Sequence, residues 1–423
     1  KLDNFFLQLP RSSLSIQELT GTADFDHIGE TLNYSCPVIE ASITPVDFLF
    51  LSQRLNKLKS PVSIQMGLTG TANSMDVNKL SIISGDGNLK LNATGNASQR
   101  DKQLTWYVNL SQLEIESELF ETLKHSFDEI PEQVCRIGDV SFIGNATSLV
   151  DGNIEVNGNM KMGIGNLLLR GEMSKDHHFS GHIETDGLQL GQLLDNEQMG
   201  LLATKVNLKG KKDDFMAKGE VSHFDYKGYT YHNITLDGTY NKGDVTGKLQ
   251  IDDPNIETTI EGEYHETKPT VIKMIGNLAK LNPKALQLSD QWGDASFSGS
   301  INADFTANTI NDAKGTIEIK DFTMSDSAFI YGIDCLHIHS GFEDGIHFLK
   351  LKGDMGEAEL NGHFDWSTLP QSFISYVASK LPTLPGLPTK APKTTNDFDI
   401  HLYLTETNWL RHLLGVNLEL NHS

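Results

Sequence analysis

The chain has 423 residues, 38% of them hydrophobic, with 37 glycines, a formal net charge of −22 and an isoelectric point near 5.0. That length exceeds one ordinary small core, so several units or a repeat array are expected. The acidic balance excludes an electrostatic footprint for DNA or RNA, and excludes binding to an anionic membrane surface by charge alone.

Along the chain, apolar and polar residues alternate with the period of a strand that has one greasy and one wet face. The first helical candidate, Val46 to Leu58, precedes a strand pair over Val62 to Leu80. A turn at Gly85-Asp86-Gly87 leads into Leu89-Lys90-Leu91, and alternation returns over Leu104 to Leu110. Ser117 to Phe127 has helical spacing. After the turn Asp151-Gly152-Asn153, strict alternation spans Ile154 to Ile164, and a short helix is predicted over Leu188 to Asp195. Further strands are predicted at Val206 to Leu208, Ile234 to Tyr240, Val245 to Ile251 and Ile256 to Tyr264, with a hairpin signal at Asn241-Lys242-Gly243. From Ala295 to Phe305 every odd position is apolar or glycine and every even one polar. Ile317 to Ile319 and the turn Glu343-Asp344-Gly345 follow. Then come a helix over Gln371 to Leu381, a Pro-rich stretch from Pro382 to Pro392, a strand over Ile400 to Leu404 and a helix over Asn408 to Leu414. Consecutive hairpins imply an antiparallel meander.

A weak repeat underlies this order: a strand ends on an apolar residue, mostly polar positions follow, and a second apolar residue opens a short helix or turn. Copies are Ile43 to Phe48, Leu113 to Leu119, Leu188 to Leu193, Leu281 to Leu286 and Leu404 to Trp409. Their uneven intervals argue against a tight solenoid and suit sheet units that tolerate insertions. The expected organisation is one continuous run of sheet repeats over residues 1–381, with units beginning near 43, 113, 188 and 281. A Pro-rich linker or flap over 382–396 and the start of a truncated further repeat over 397–423 complete it. The chain opens on Lys1-Leu2-Asp3 and is read as a piece of a longer protein.

Chemistry-bearing motifs are scarce. There is no Gly-x-Ser-x-Gly elbow, and Gly85-Asp86-Gly87 and Gly163-Ile164-Gly165 have no helix following them to cradle a phosphate. Paired carboxylates such as Asp252-Asp253 sit among turn residues, where turn chemistry explains them. Three cysteines, Cys36, Cys135 and Cys335, make no CxxC pair and no zinc spacing. The best metal constellation is His337-Ile338-His339 with His347, but the first two alternate with Leu336 and Ile338 and so belong to a solvent face. No catalytic, cofactor or metal site is expected, and an enzyme is the weakest reading.

What remains is the apolar face. Predicted helices supply far too few residues to cover about 25 strands. Either two sheets pack as a sandwich with a closed core, or the sheet stays open as a trough. Gly158, Gly238, Gly247, Gly262, Gly299 and Gly362 lie in the apolar row, where glycine marks a bend or a close approach, and this favours the trough.

The stretch Gly228 to Thr239, followed by Gly247 to Asn255, resembles the middle region of TamB-type proteins of Bacteroidota, and so does Val62 to Leu80. TamB belongs with the AsmA-like, repeating β-groove proteins. The resemblance covers nearly the whole chain at the level of pattern. It implies an all-β fold, a long, twisted, mostly antiparallel sheet of repeated units curled into an open hydrophobic groove, with a few short helices at its edges. At ~4.8 Å per strand the groove would be about 120 Å long. It further implies a periplasmic location in a Gram-negative cell, with the full-length protein anchored in the inner membrane. Parts outside this fragment would reach an Omp85-type outer-membrane partner. The implied role is to carry phospholipid acyl chains between membranes, to support outer-membrane protein assembly, or both, without catalysis. Groove-lining candidates in the first half are Trp106, Val108, Ile154, Val156, Met160, Met162, Ile164, Val206 and Leu208. In the second half they are Leu249, Ile251, Phe297, Ile301 and Phe305. Alternatives are a scaffold that holds unfolded strands by β-augmentation, or a surface β-sandwich interaction protein.

Overall fold

The computed structural model describes residues 1–100, 103–126, 130–380, 396–408 and 413. The predicted Pro-rich flap and most of the predicted helix over Asn408 to Leu414 lie outside them. Among the described residues the chain forms one antiparallel sheet of 24 strands that does not close into a barrel, with a few short helices. It divides into two compact units, Lys1–Tyr231 and His232–Ser423.

The first unit holds β1 (Leu2–Gln8), β2 (Ser13–Thr22), β3 (Asn33–Ile43), β4 (Val62–Thr71), β5 (Ser74–Ser84), β6 (Leu89–Arg100) and β7 (Gln103–Ile115). It continues with β8 (Val140–Ser148), β9 (Ile154–Met162), β10 (Gly165–Met173), β11 (Phe179–Gln189), β12 (Met199–Lys211), β13 (Asp214–Tyr226) and β14 (Tyr229–Tyr231). Every connection from an odd to an even strand of a meander falls on the same edge of the sheet, and here that edge carries the insertions. Two 3₁₀ turns, Pro45–Phe48 and Gln53–Lys57, join β3 to β4. Helices α2 (Ser117–Ser126) and α3 (Glu132–Arg136) join β7 to β8, and α4 (Leu190–Leu194) joins β11 to β12. A further short helix, α1 (Ile28–Thr31), lies between β2 and β3 at the opposite edge. The insertions recur every fourth strand, and each begins at one of the repeat positions read from the sequence. The predicted helix over Val46 to Leu58 is thus two separate 3₁₀ turns. Phe50 and Leu51 between them face solvent, so its apolar spacing finds no surface to pack on.

The second unit holds β15 (Ile234–Asn241), β16 (Asp244–Asp253), β17 (Ile256–His265), β18 (Thr270–Leu281) and β19 (Ser296–Ala307). It continues with β20 (Lys314–Ser325), β21 (Ile330–Glu343), β22 (Ile346–Gly353), β23 (Gly356–His363) and β24 (Asp397–Leu404). The repeat copy at Leu281 to Leu286 opens the long connection from β18 to β19. Helix α5 (Leu369–Lys380) joins β23 to β24 at the opposite edge. Two-residue hairpin turns at Lys242-Gly243 and Asp344-Gly345 place both residues at positive φ (48° and 102°, 51° and 82°), the twist-matching geometry that makes glycine the natural second residue.

The most fully enclosed apolar side chains sit at the edge that carries the insertions. In the first unit Val140 is buried and Ile164 is 1% exposed. The Ile164 backbone is strapped to its neighbours, its N–H donating to Ile137 O and its carbonyl accepting from Gln189. Arg136 of α3 pairs with Asp195 beyond α4 at 3.0 Å. In the second unit Ala295, Phe297 and Met324 form a buried cluster against Leu278, Leu281, Trp292, Phe322, Phe329 and Leu413, and Leu286 is fully enclosed. Among the described residues no helix is long and apolar enough to cross a membrane.

Candidate functional site

Residues directly opposite each other on paired strands share a face, so the register decides whether the apolar rows join up. In the first unit they do. Leu110, Gly144, Gly158, Leu169, Ile183 and Val206 are successive partners from β7 to β12. The next row runs Val108, Ala146, Val156, Gly171, Gly181 and Leu208. In the second unit one row runs Leu236, Leu249, Ile260, Gly276, Ile301 and Ile319, and another runs Tyr240, Val245, Tyr264, Ile272 and Phe305. Alternation within each strand therefore becomes an apolar stripe along each unit.

Most of the lining candidates fall on these stripes. Trp106, Val108, Ile154, Val156, Met160, Met162, Val206 and Leu208 share the apolar face of the first unit. Leu249, Ile251, Ile301 and Phe305 share that of the second. Two candidates lie elsewhere in character. Ile164 belongs to the tight connection between β9 and β10 and is enclosed there, because Gly163 and Gly165 bring the backbone close. Phe297 is packed into the edge core against Trp292, ring centroids 5.3 Å apart. Both serve as packing residues rather than accessible surface.

Away from that edge, and outside the enclosed cluster around His347, the face is open. Val108 in the first unit is 42% exposed, and Leu236 and Val245 in the second are 45% and 44% exposed. Glycines set how open each row is, and in the first unit Gly171 and Gly181 face each other with only backbone atoms within 4 Å of an added Cβ. In the same unit Gly144 and Gly158 face each other, and the Phe142 ring lies over both: a Cβ on Gly158 would come within 2.2 Å of it. In the second, Gly238, Gly247 and Gly262 are consecutive partners. A Cβ at any of them would meet only backbone atoms within 4 Å. The result is an uncovered slot crossing three strands, walled by Leu236, Leu249 and Ile260 on one side and by Tyr240, Val245 and Tyr264 on the other. Three strands span about 10 Å.

The opposite face is wet. Behind the same glycines lies a concavity of 590 Å³ lined by Asp237, Thr239, Lys248, Glu261, Glu263 and Lys273 among others. Lys248 and Glu261 pair across it at 2.6 Å.

The histidines separate as their parity dictates. His337 and His339 lie on the wet face, partnered with Glu318 and Thr316 of β20. His347 lies on the apolar face, 3% exposed, its ring stacked between Phe342 and Phe364 with centroids 4.4 Å from each. Ser340 Oγ donates to Ala313 O and lies 2.8 Å from His347 Nε2. The hydroxyl proton being committed, Nε2 carries the imidazole hydrogen and Nδ1 is bare, buried and without a hydrogen-bond partner among the described residues. Burial holds the His347 pKa below its ordinary value, and the Lys314 ammonium, 5.3 Å from the Phe342 ring, adds no help to a charged imidazole. The unfolded chain then binds more protons than the folded one below pH about 6.5, so stability falls as pH drops through that value. The thermal midpoint is expected to be lower at pH 5.5 than at pH 7.5, and His347→Phe should shrink the difference. An undiminished difference in that variant would assign the effect to other groups.

The sequence reading left Cys335 apart from the histidines, but its Sγ lies 3.1 Å from His337 Nε2 on the wet face. No protein-family model, curated protein or solved structure matches this chain.

Proposed function

We propose that this chain is a non-enzymatic bridge segment whose open apolar face carries phospholipid acyl chains across the periplasm between inner and outer membranes. The observation that supports this reading is the uncovered Gly238–Gly247–Gly262 slot within an in-register apolar stripe. An extended alkyl chain is narrow, uniformly apolar and indifferent to side-chain detail. It matches a surface that repeats one apolar residue per strand and offers no directed polar group. The resemblance of Gly228 to Asn255 to TamB-type proteins points the same way and brings the inner-membrane anchor and Omp85-type partner with it. Those belong to parts of a longer protein. Assembly of outer-membrane proteins is a compatible role for the same scaffold.

Mass spectrometry of lipids extracted from the purified chain tests the reading. Phospholipid at one or more molecules per chain is the expected result, and a lipid-free preparation from cells rich in phospholipid would overturn it. A second reading, a scaffold that holds unfolded strands by β-augmentation, is favoured by β1. All seven of its residues are exposed, Phe5, Phe6 and Leu7 among them. Cross-linking of unfolded outer-membrane strands to β1, rather than of lipid to the glycine slot, would select it.

A further inference from the structure

Cys335 and His337 occupy positions i and i+2 of β21, so both side chains rise from the wet face, while Leu336 between them points to the apolar one. Directly opposite His337 in the register stands Glu318 of β20, and opposite Cys335 stands Lys320. The thiol sulfur and the imidazole Nε2 are 3.1 Å apart, and Glu318 Oε1 lies 3.5 Å from His337 Nδ1. One ligand atom from each of Glu318, Cys335 and His337 fits within 4.8 Å of the others. A tetrahedral zinc, about 2.3 Å from sulfur and about 2.0 Å from nitrogen, would set those two ligands roughly 3.5 Å apart. The spacing is already close to that.

We propose that Glu318, Cys335 and His337 form a binding site for a borderline divalent cation, Zn²⁺ in particular, on the polar face shared by β20 and β21. Thiolate plus imidazole disfavours Mg²⁺ and Ca²⁺, which take all-oxygen shells. Three protein ligands leave a fourth position to water. Binding releases the Cys335 thiol proton to solvent, so affinity falls as pH falls. The site is accessible: the His337 side chain is 57% exposed and that of Glu318 29%. Packing does not account for the cysteine, in contrast to Cys36, which is buried and apolar in its surroundings.

Lys320 is the competing cation. Its Nζ lies 2.8 Å from Glu318 Oε2 and holds that carboxyl below its usual range. A metal entering the site takes over this role, and the ammonium swings to solvent. The proposal therefore makes an unusual demand, that removing a basic residue tightens cation binding.

Titration of the reduced chain with Co²⁺ tests it. One equivalent should bring up thiolate-to-cobalt charge-transfer absorption near the ultraviolet edge, and Zn²⁺ should displace it. Cys335→Ser should abolish the band, His337→Gln should weaken binding at least tenfold, and Lys320→Gln should strengthen it severalfold. Cys135→Ser should change nothing. All four side chains are partly exposed, so folding is expected to survive, and a circular dichroism spectrum for each variant checks it. Zn²⁺ should also raise the thermal midpoint of the wild type and not of Cys335→Ser. A charge-transfer band that persists in Cys335→Ser, or the absence of any band in the wild type, would overturn the proposal.

Discussion

Leu236→Glu and Val245→Glu are expected to cut phospholipid bound to the purified chain by more than about tenfold while leaving the second unit folded. The two residues flank the Gly238–Gly247–Gly262 slot from opposite sides. Each is nearly half exposed, so a carboxylate there keeps its water in the free protein and costs little stability, within about 0.5 kcal/mol for an ordinary surface position. An acyl chain seated in the slot would strip that water, and a tenfold loss corresponds to only about 1.4 kcal/mol, well within the cost of pressing hydrocarbon against an ionised group. Gly247→Val approaches the same point through shape. Its side chain fills the slot, and its β-branched form suits a strand. Gln250→Glu, the same charge on the wet face of β16 three residues beyond Gly247, is the control and should retain lipid. Equal lipid content in Leu236→Glu, Gly247→Val and Gln250→Glu would sink the acyl-chain reading.

Much of this fold is legible in the sequence because a period of two encodes a face and turn residues encode who follows whom. Ala295 to Phe305 announces β19 almost to the residue, and Asn241-Lys242-Gly243 and Glu343-Asp344-Gly345 announce their hairpins. Register is less legible. It depends on bulges such as those in the β18–β19 and β19–β20 ladders, between Leu278 and Leu281 and between Ser298 and Ser300. A one-residue shift there would change which residues face one another. The grouping of Cys335 and His337 with Glu318 is hidden for that reason: Glu318 is seventeen positions before Cys335 and comes beside it only because β20–β21 pairing sets Glu318 opposite His337. The division after Tyr231 is similarly local in origin. A three-residue strand is followed by Asn233 at φ 50°, a break that short alternating segments do not advertise.

The repeat read from the sequence has its largest energetic consequence at the edge of the sheet, not on the face. Leu281 to Leu286 closes β18, packs Leu281 against the Ala295, Phe297 and Met324 cluster and leaves Leu286 at 0% exposure. An open sheet offers few places where a side chain is enclosed on all sides, and its strands are otherwise held by ladder hydrogen bonds and half-buried pairs. Each enclosed residue at the insertion edge therefore carries a disproportionate share of the hydrophobic stabilisation. Leu286→Ala is expected to destabilise the second unit by about 2–5 kcal/mol, the range for emptying a fully buried leucine site. Leu236→Ala, on the open face, should cost under about 1 kcal/mol because its side chain is already partly in water. Urea unfolding of the two variants, followed by Trp292 fluorescence with Trp106, Trp366 and Trp409 replaced by Phe, separates them. Trp292 packs on Phe297 and its Nε1 donates to Leu413 O at 3.0 Å, so its emission reports on this edge. If the two substitutions cost the same, the edge is not the core, and the open face must be covered in solution by something that gives it equal weight.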